Sequence, residues 1–126
     1  MGGPDGIDLH SHSTASDGQF PPAEVAARAH QAGLSTWGLC DHDTVAGLPA
    51  AAEAARRLGL RLVPGIELSA FLGSGHKEIH LLGHFLDPVH PALLAFEDFL
   101  ADHRRTRVRA IVERLAAHGV HVTEAA

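Results

Sequence analysis

The histidines and acids of this chain fall into short groups, most of them at the end of an apolar run. Asp8-Leu9-His10-Ser11-His12 comes first. On an extended backbone, residues i and i+2 point to the same side, so His10 and His12 present two imidazoles together. Two imidazoles at a strand end can chelate one divalent ion. The pair alone is a weak signal, because two surface histidines give the same pattern. Asp8 strengthens it, since a carboxylate beside a ligand histidine can accept the other ring N–H and orient the ring. Asp17 stands in a Ser-Asp-Gly turn, where an Asx turn is the ordinary explanation.

Asp41-His42-Asp43 is a stronger signal. Carboxylates directly after an apolar strand are costly unless paired or metal-bound. His42 is the ligand candidate, and Asp41 is a partner behind it or a general acid/base. Glu67 follows Val63-Pro64-Gly65-Ile66. It either bridges two metals through its two oxygens or is an ordinary edge carboxylate. His80 and His84 share a face of one strand and His76 is a third candidate. One of these on the core side serves as a ligand, and the other two are expected to be exposed.

Such a set suits phosphoester hydrolysis. Clustered divalent cations neutralise phosphate oxygens and lower the pKa of a bound water. A His/Asp/Glu set favours Mn²⁺, Zn²⁺ or Fe²⁺ over Ca²⁺. No Ser or Cys with a base partner stands out as a nucleophile, so a metal-activated water is the expected attacking group.

These residues need strand ends to hold them. Gly6 to His10 predicts a first strand, followed by a Ser/Thr/Gly-rich loop to Phe20. Pro21-Pro22-Ala23-Glu24 reads as a helix start, with Val25, Ala26, Ala29 and Ala32 as its apolar face and Gly33 beyond its end. Leu34 to Cys40 is a second strand, Leu48 to Leu58 an alanine-rich helix closed by Gly59, and Leu60 to Ile66 a third strand ending at Glu67. Leu68 to Phe71 and Glu78 to His84 flank Gly73-Ser74-Gly75 as a hairpin or tight loop. Strand, helix, strand, helix, strand argues for parallel βα units, which place active sites at the C-terminal ends of strands.

After Asp87-Pro88 the pattern changes. Pro91 to His118 predicts one long helix with Leu93, Phe96, Leu100, Ile111 and Leu115 on a stripe. Val120 to Val122 is a short extended piece, and Thr123-Glu124 begins another helix. The chain thus divides into residues 1–90, carrying the candidate ligands, and 91–126. Arg104 and Arg107 fall on the stripe. They either snorkel or pair with Asp102 or Glu97, or one of them forks a substrate phosphate.

Bulk properties narrow the partners. The 126 residues are 45% apolar with a formal charge of -5. No basic field exists to hold extended nucleic acid. A small phosphorylated substrate remains compatible. Cys40 is the one cysteine, so no internal disulfide forms, in keeping with a reducing, cytoplasmic setting. No apolar run spans a membrane, and Met1 to Gly6 carries no signal-peptide pattern.

Taken together, Asp8-Leu9-His10-Ser11-His12-Ser13, Ser16-Asp17-Gly18, Asp41-His42-Asp43, Pro64-Gly65-Ile66-Glu67 and His80-Leu81-Leu82-Gly83 resemble the PHP (polymerase and histidinol phosphatase) domain in order and spacing. Within it, the chain is most similar to small bacterial phosphoesterases acting on nucleoside 3′,5′-bisphosphates and short RNA 5′ ends. The resemblance implies an α/β fold, the N-terminal part of a distorted (βα)7 barrel with a three-metal site, followed by the start of a helical insertion. It implies His10, His12 and Glu67 at one metal, bridging Glu67 and His80 at a second, and Asp17 with His42 at a third. The metals are most readily Mn²⁺, with Zn²⁺, Fe²⁺ or Mg²⁺ as alternatives. Cys40 stands where the family usually has threonine. A closed barrel of this kind needs roughly 250 residues, and the family draws three further ligands from later motifs. The chain therefore resembles the N-terminal half of such an enzyme, expected to be feeble or inert alone. The remaining alternatives are a PHP module of a DNA polymerase, proofreading or structural, and an inactive fragment.

Overall fold

The computed structural model describes residues 6–73 and 77–122. It divides into two compact units, Met1–His90 and Pro91–Ala126. The first contains β1 (Gly6–Ser11), α1 (Pro22–Gln31), β2 (Leu34–Leu39), α2 (Leu48–Leu58), β3 (Arg61–Phe71) and β4 (Glu78–His84). The strands form one sheet in the order β1-β2-β3-β4. β1, β2 and β3 run parallel and β4 pairs antiparallel to β3.

The two helices start and stop where local chemistry directs. Pro22 opens α1 and Pro49 lies in the first turn of α2, because proline lacks the N–H that a first turn leaves unpaired. Gly33 and Gly59 follow the two helices with φ of 82° and 68°, the left-handed geometry that a residue without Cβ adopts at no steric cost. Ala26 and Ala29 of α1 and Leu48, Ala51 and Ala55 of α2 are buried. With Trp37, Leu39, Val63 and Ile66 from the strands they form the core. Ala32, expected on the buried face of α1, is exposed because it caps the helix.

β3 is longer than its apolar run. The expected strand end at Ile66 and a separate piece from Leu68 give way to one strand of 11 residues. The reason is a change of partner. Thr36 to Leu39 of β2 pair with Arg61 to Pro64, whereas Gly65 to Phe71 pair with β4. Backbone pairing thus carries the strand through polar Glu67. A parallel bridge between His42 and Glu67 extends the β2 side of the ladder.

β1 carries an irregularity. Asp8 pairs with Trp37 and Ser11 with Leu39, so one extra residue is accommodated between them. Such a bulge re-aims side chains. Here the backbone N–H of His10 donates to Asp8 Oδ1 at 3.0 Å. The bulged segment lies directly on Gly38, where an added Cβ would be 2.5 Å from the Leu9 carbonyl oxygen. Gly38→Ala is therefore expected to force β1 away from β2 and cost about 1–3 kcal/mol, as overpacking does. Urea unfolding of the two chains checks this.

The second unit is α3 (Pro91–Ala117), 27 residues with none buried. Its apolar residues Phe96, Ile111 and Leu115, expected on a shared stripe, are exposed, as are Leu94, Phe99 and Val108. No helix among the described residues is long and apolar enough to cross a membrane. His76, the Ser74-Gly75 part of the expected tight loop and the helix start at Thr123-Glu124 lie outside the described residues.

Candidate metal centre

Glu67 is the hub of the site. It lies in the middle of β3, 5% exposed, and both carboxylate oxygens are engaged. Oε2 is 2.7 Å from His10 Nε2 and 2.9 Å from His12 Nε2. Oε1 is 2.8 Å from His80 Nδ1. His42 Nε2 stands 3.8 Å from Oε2. One carboxylate thus draws together imidazoles from β1, the segment after it, the segment after β2, and β4. His80 reaches Glu67 diagonally across the hairpin, because Glu67 faces Leu82 and Ser69 faces His80 in the register.

Asp17 closes the other side, 3.3 Å from His12 Nδ1 and 3.5 Å from His42 Nε2. The rings of His12 and His42 stack at 4.6 Å between centroids, and His42 meets His80 edge-on at 5.0 Å. All six ligand candidates, His10, His12, Asp17, His42, Glu67 and His80, therefore converge. They form three overlapping groups: His10-His12-Glu67, His12-Asp17-His42 and His42-Glu67-His80. His12, His42 and Glu67 each serve two groups; of these, only Glu67 was expected to be shared.

The donor set fits divalent cations. His10 Nε2 and His12 Nε2 are 3.1 Å apart while both aim at one carboxylate oxygen. Three donor atoms on one point is the geometry of a chelate, for which imidazole and carboxylate are common ligands. His42 Nδ1 is buried without a hydrogen-bond partner among the described residues, a cost unless another group engages it.

Electrostatics follow the same contacts. Burial pushes the Glu67 carboxyl up, but hydrogen bonds from His10 and His80 and the nearby imidazole charge outweigh it, leaving the pKa below the usual carboxylate value. The hydrogen bond to Glu67, then that to Glu78, raises the pKa of His80. Glu78 Oε1 stands 3.3 Å from His80 Nε2. Its place two residues before His80, on the same face, was the available signal for this role.

Asp41 does something different from a proton-transfer group beside His42. It is 2% exposed, and it accepts three hydrogen bonds. Oδ1 takes the Ser13 backbone N–H at 2.7 Å and Ser16 Oγ at 2.7 Å, and Oδ2 takes Ser13 Oγ at 2.8 Å. It thereby fixes the Ser13–Ser16 turn that lies between His12 and Asp17. Gly47 lies against this knot, since a Cβ there would be 2.8 Å from Asp41 Oδ2. Asp41→Asn puts an amide NH₂ against these donors, with a cost of about 1–3 kcal/mol for the unsatisfied groups. Thermal unfolding of the metal-free chain reads that loss. Asp43, with a φ of 55°, ties the segment after β2 to β3, its Oδ1 accepting the Ser69 N–H at 2.9 Å.

Asp8 likewise differs from expectation, since it accepts the His10 backbone N–H and not an imidazole N–H. The contact falls within the irregularity between Asp8 and Ser11, where the register with β2 shifts. Arg104 and Arg107 lie on α3, in the second unit, both exposed. Asp102, one of the two acids expected to pair with them, meets Arg105 at 2.6 Å.

The PHP domain matches residues 8–103 of the chain. The chain belongs to the PHP domain family. Among its relatives, the 5′-3′ exoribonuclease Rnm of Salmonella typhimurium is 45% identical over 113 residues, covering 86% of this chain and 37% of the relative. The 3′,5′-nucleoside bisphosphate phosphatase of Chromobacterium violaceum is 39% identical over 114 residues, covering 90% of this chain and 39% of the relative. A crystal structure from Bifidobacterium adolescentis, described as a metal-dependent phosphoesterase, superposes with a TM-score of 0.77 at 32% identity, over 88% of this chain and 38% of that one. The PHP chain thus spans about two fifths of the length of these relatives. Its α/β fold, with a curled half-barrel sheet, matches these PHP-like neighbours.

Proposed function

We propose that this PHP chain is the ligand-bearing part of a metal-dependent phosphoesterase. Its substrates are phosphomonoesters of a nucleotide or short oligonucleotide, either a 3′,5′-nucleoside bisphosphate or an RNA 5′ end. One observation carries the reading: buried Glu67 engages His10 and His12 with one oxygen and His80 with the other. A carboxylate so placed is shared between adjacent cation groups, as clustered-metal phosphoester hydrolysis requires.

His10, His12 and Glu67 would hold one cation, Glu67 with His42 and His80 a second, and Asp17 with His12 and His42 a third. Mn²⁺ suits this set, with Zn²⁺, Fe²⁺ and Mg²⁺ as alternatives. When bound, such ions neutralise phosphate charge and acidify water. The protein's own part is to hold six ligands rigid and to offer no competing nucleophile. Cys40 is buried, and burial, reinforced by the charges of Glu67, Asp41 and Asp8, pushes its thiol up to about 11. Ser13 is fully buried with its hydroxyl donated to Asp41. Asp41 acts by positioning the turn between His12 and Asp17, while His42 and Glu67 would act by holding the ions. Arg104 and Arg107 are proposed contacts for a substrate phosphate, as guanidinium forks suit that anion. The polymerase-module alternative has weaker support, because relatives aligned over 86–90% of the chain are a phosphatase and an exoribonuclease.

The test is release of inorganic phosphate from a 3′,5′-bisphosphonucleoside in the presence of Mn²⁺, by this chain and by the chain extended to the length of its relatives. The extended chain is expected to turn over in a metal-dependent way. Metal-independent turnover, or a preference for internal phosphodiesters of DNA, would refute the proposal.

A further inference from the structure

We propose that His84 is a positioning residue for the metal centre: it links β4 to β1 by binding the carbonyl next to ligand His10. The inference rests on the metal-site reading above.

The bulge in β1 interrupts the ladder between Asp8 and Ser11, and Leu9 lies inside it. A bulge leaves backbone groups without ladder partners. The Leu9 carbonyl finds two other partners. His84 Nε2 donates to it at 2.8 Å, and the Cys40 thiol donates at 3.3 Å. A carbonyl only accepts, so Nε2 of His84 carries the proton. His84 Nε2 and Cys40 Sγ are themselves 3.6 Å apart.

β1 and β4 are the two ends of the sheet order, so this contact joins strands that share no ladder. Gly65 clears the way. It pairs directly with His84, and a Cβ on it would collide with Cys40 Sγ. His80 and His84 share one face of β4, four residues apart. The strand that supplies ligand His80 therefore also supplies a strut to the residue preceding ligand His10. The strut fixes how far the β1 ligands stand from the β4 ligand across Glu67.

Partners that orient metal ligands without touching the ion typically change metal affinity about 10–100-fold when removed. The readout is Co²⁺ titration of the full chain, following the visible ligand-field band and its saturation. The wild-type chain is expected to saturate with a defined band. His84→Leu is expected to weaken binding about 10–100-fold and alter the band. His84→Gln, whose amide nitrogen reaches the place of Nε2, is expected to restore affinity and band. His84→Asn, one carbon shorter, is expected to restore neither. A purely structural role would not separate Gln from Asn in the band of the bound ion.

If His84→Leu binds Co²⁺ as wild type does, or Gln and Asn behave alike, the proposal is overturned while the metal site stands. If the wild-type chain binds no Co²⁺, the metal-site reading falls and takes the proposal with it. Should His84→Leu fail to fold, the comparison of Gln with Asn decides alone.

Discussion

Replacing Glu67 by glutamine is expected to lower kcat/KM for phosphoester hydrolysis by on the order of 10³-fold, measured as phosphate release by the chain extended to its relatives' length. Glutamine keeps the shape and size of the side chain. It loses the charge, and one of its two polar atoms becomes an NH₂ that cannot ligate a cation. Each oxygen of Glu67 meets a different set of imidazoles, His10 and His12 on one side and His80 on the other. One substitution therefore disables two of the three ligand groups. Lost metal-ion stabilisation is worth several kcal/mol in the transition state, and about 4 kcal/mol corresponds to roughly a thousandfold in rate. His80→Ala removes a ligand from one group only, so its loss should be smaller. A Glu67→Gln variant within about tenfold of wild type would remove Glu67 from the reacting centre.

Divalent metal should also raise thermal stability strongly. The site gathers four imidazoles around two carboxylates. An ion that binds only the folded chain stabilises it by about 4.1 kcal/mol at a thousandfold excess over its Kd. For a unit the size of Met1–His90, each kcal/mol moves Tm by about 4–8 °C. Saturating Mn²⁺ or Zn²⁺ is thus expected to raise Tm by roughly 15–30 °C, and a chelator should reverse the rise. Glu67→Gln should show only a small part of it. Differential scanning calorimetry with and without metal gives the answer, and a shift below about 2 °C would contradict a preformed multi-ligand site.

The candidate ligands were legible in the sequence as a set and not singly, since His10 with His12, Asp17 and Glu67 each had an ordinary reading alone. The structure gathers His10, His12, Asp17, His42, Glu67 and His80. The helices were legible too, through Pro21-Pro22 at the start of α1, the alanine-rich run of α2, and Gly33 and Gly59 at their ends. What remained hidden depends on pairing between distant segments. The length of β3 follows from its exchange of β2 for β4 at Gly65, which no local hydrophobicity encodes. The hydrogen bond from the His10 backbone to Asp8 depends on a bulge, and a bulge arises from register with β2. Asp41 reads like its neighbour His42 in sequence. Only the packed turn of Ser13 and Ser16 shows that its oxygens are already engaged. His80 and His84 share a strand face; only the family resemblance pointed to His80 beside Glu67, and nothing in the sequence showed that His84 meets Leu9. The stripe on α3 was drawn from helical spacing, yet spacing says nothing about what covers a face, and none of its residues is buried.

Direct metal binding tests the central claim most plainly. Mn²⁺ titration by calorimetry, with elemental analysis of the purified chain, should be run on wild type and His10→Ala. The expected result is saturable uptake of at least one Mn²⁺ per wild-type chain, weakened at least about tenfold in His10→Ala, a loss of about 1.4 kcal/mol. No saturable uptake of Mn²⁺ or Zn²⁺, or an affinity unchanged by His10→Ala, would contradict the assignment of this histidine and carboxylate cluster as a metal centre.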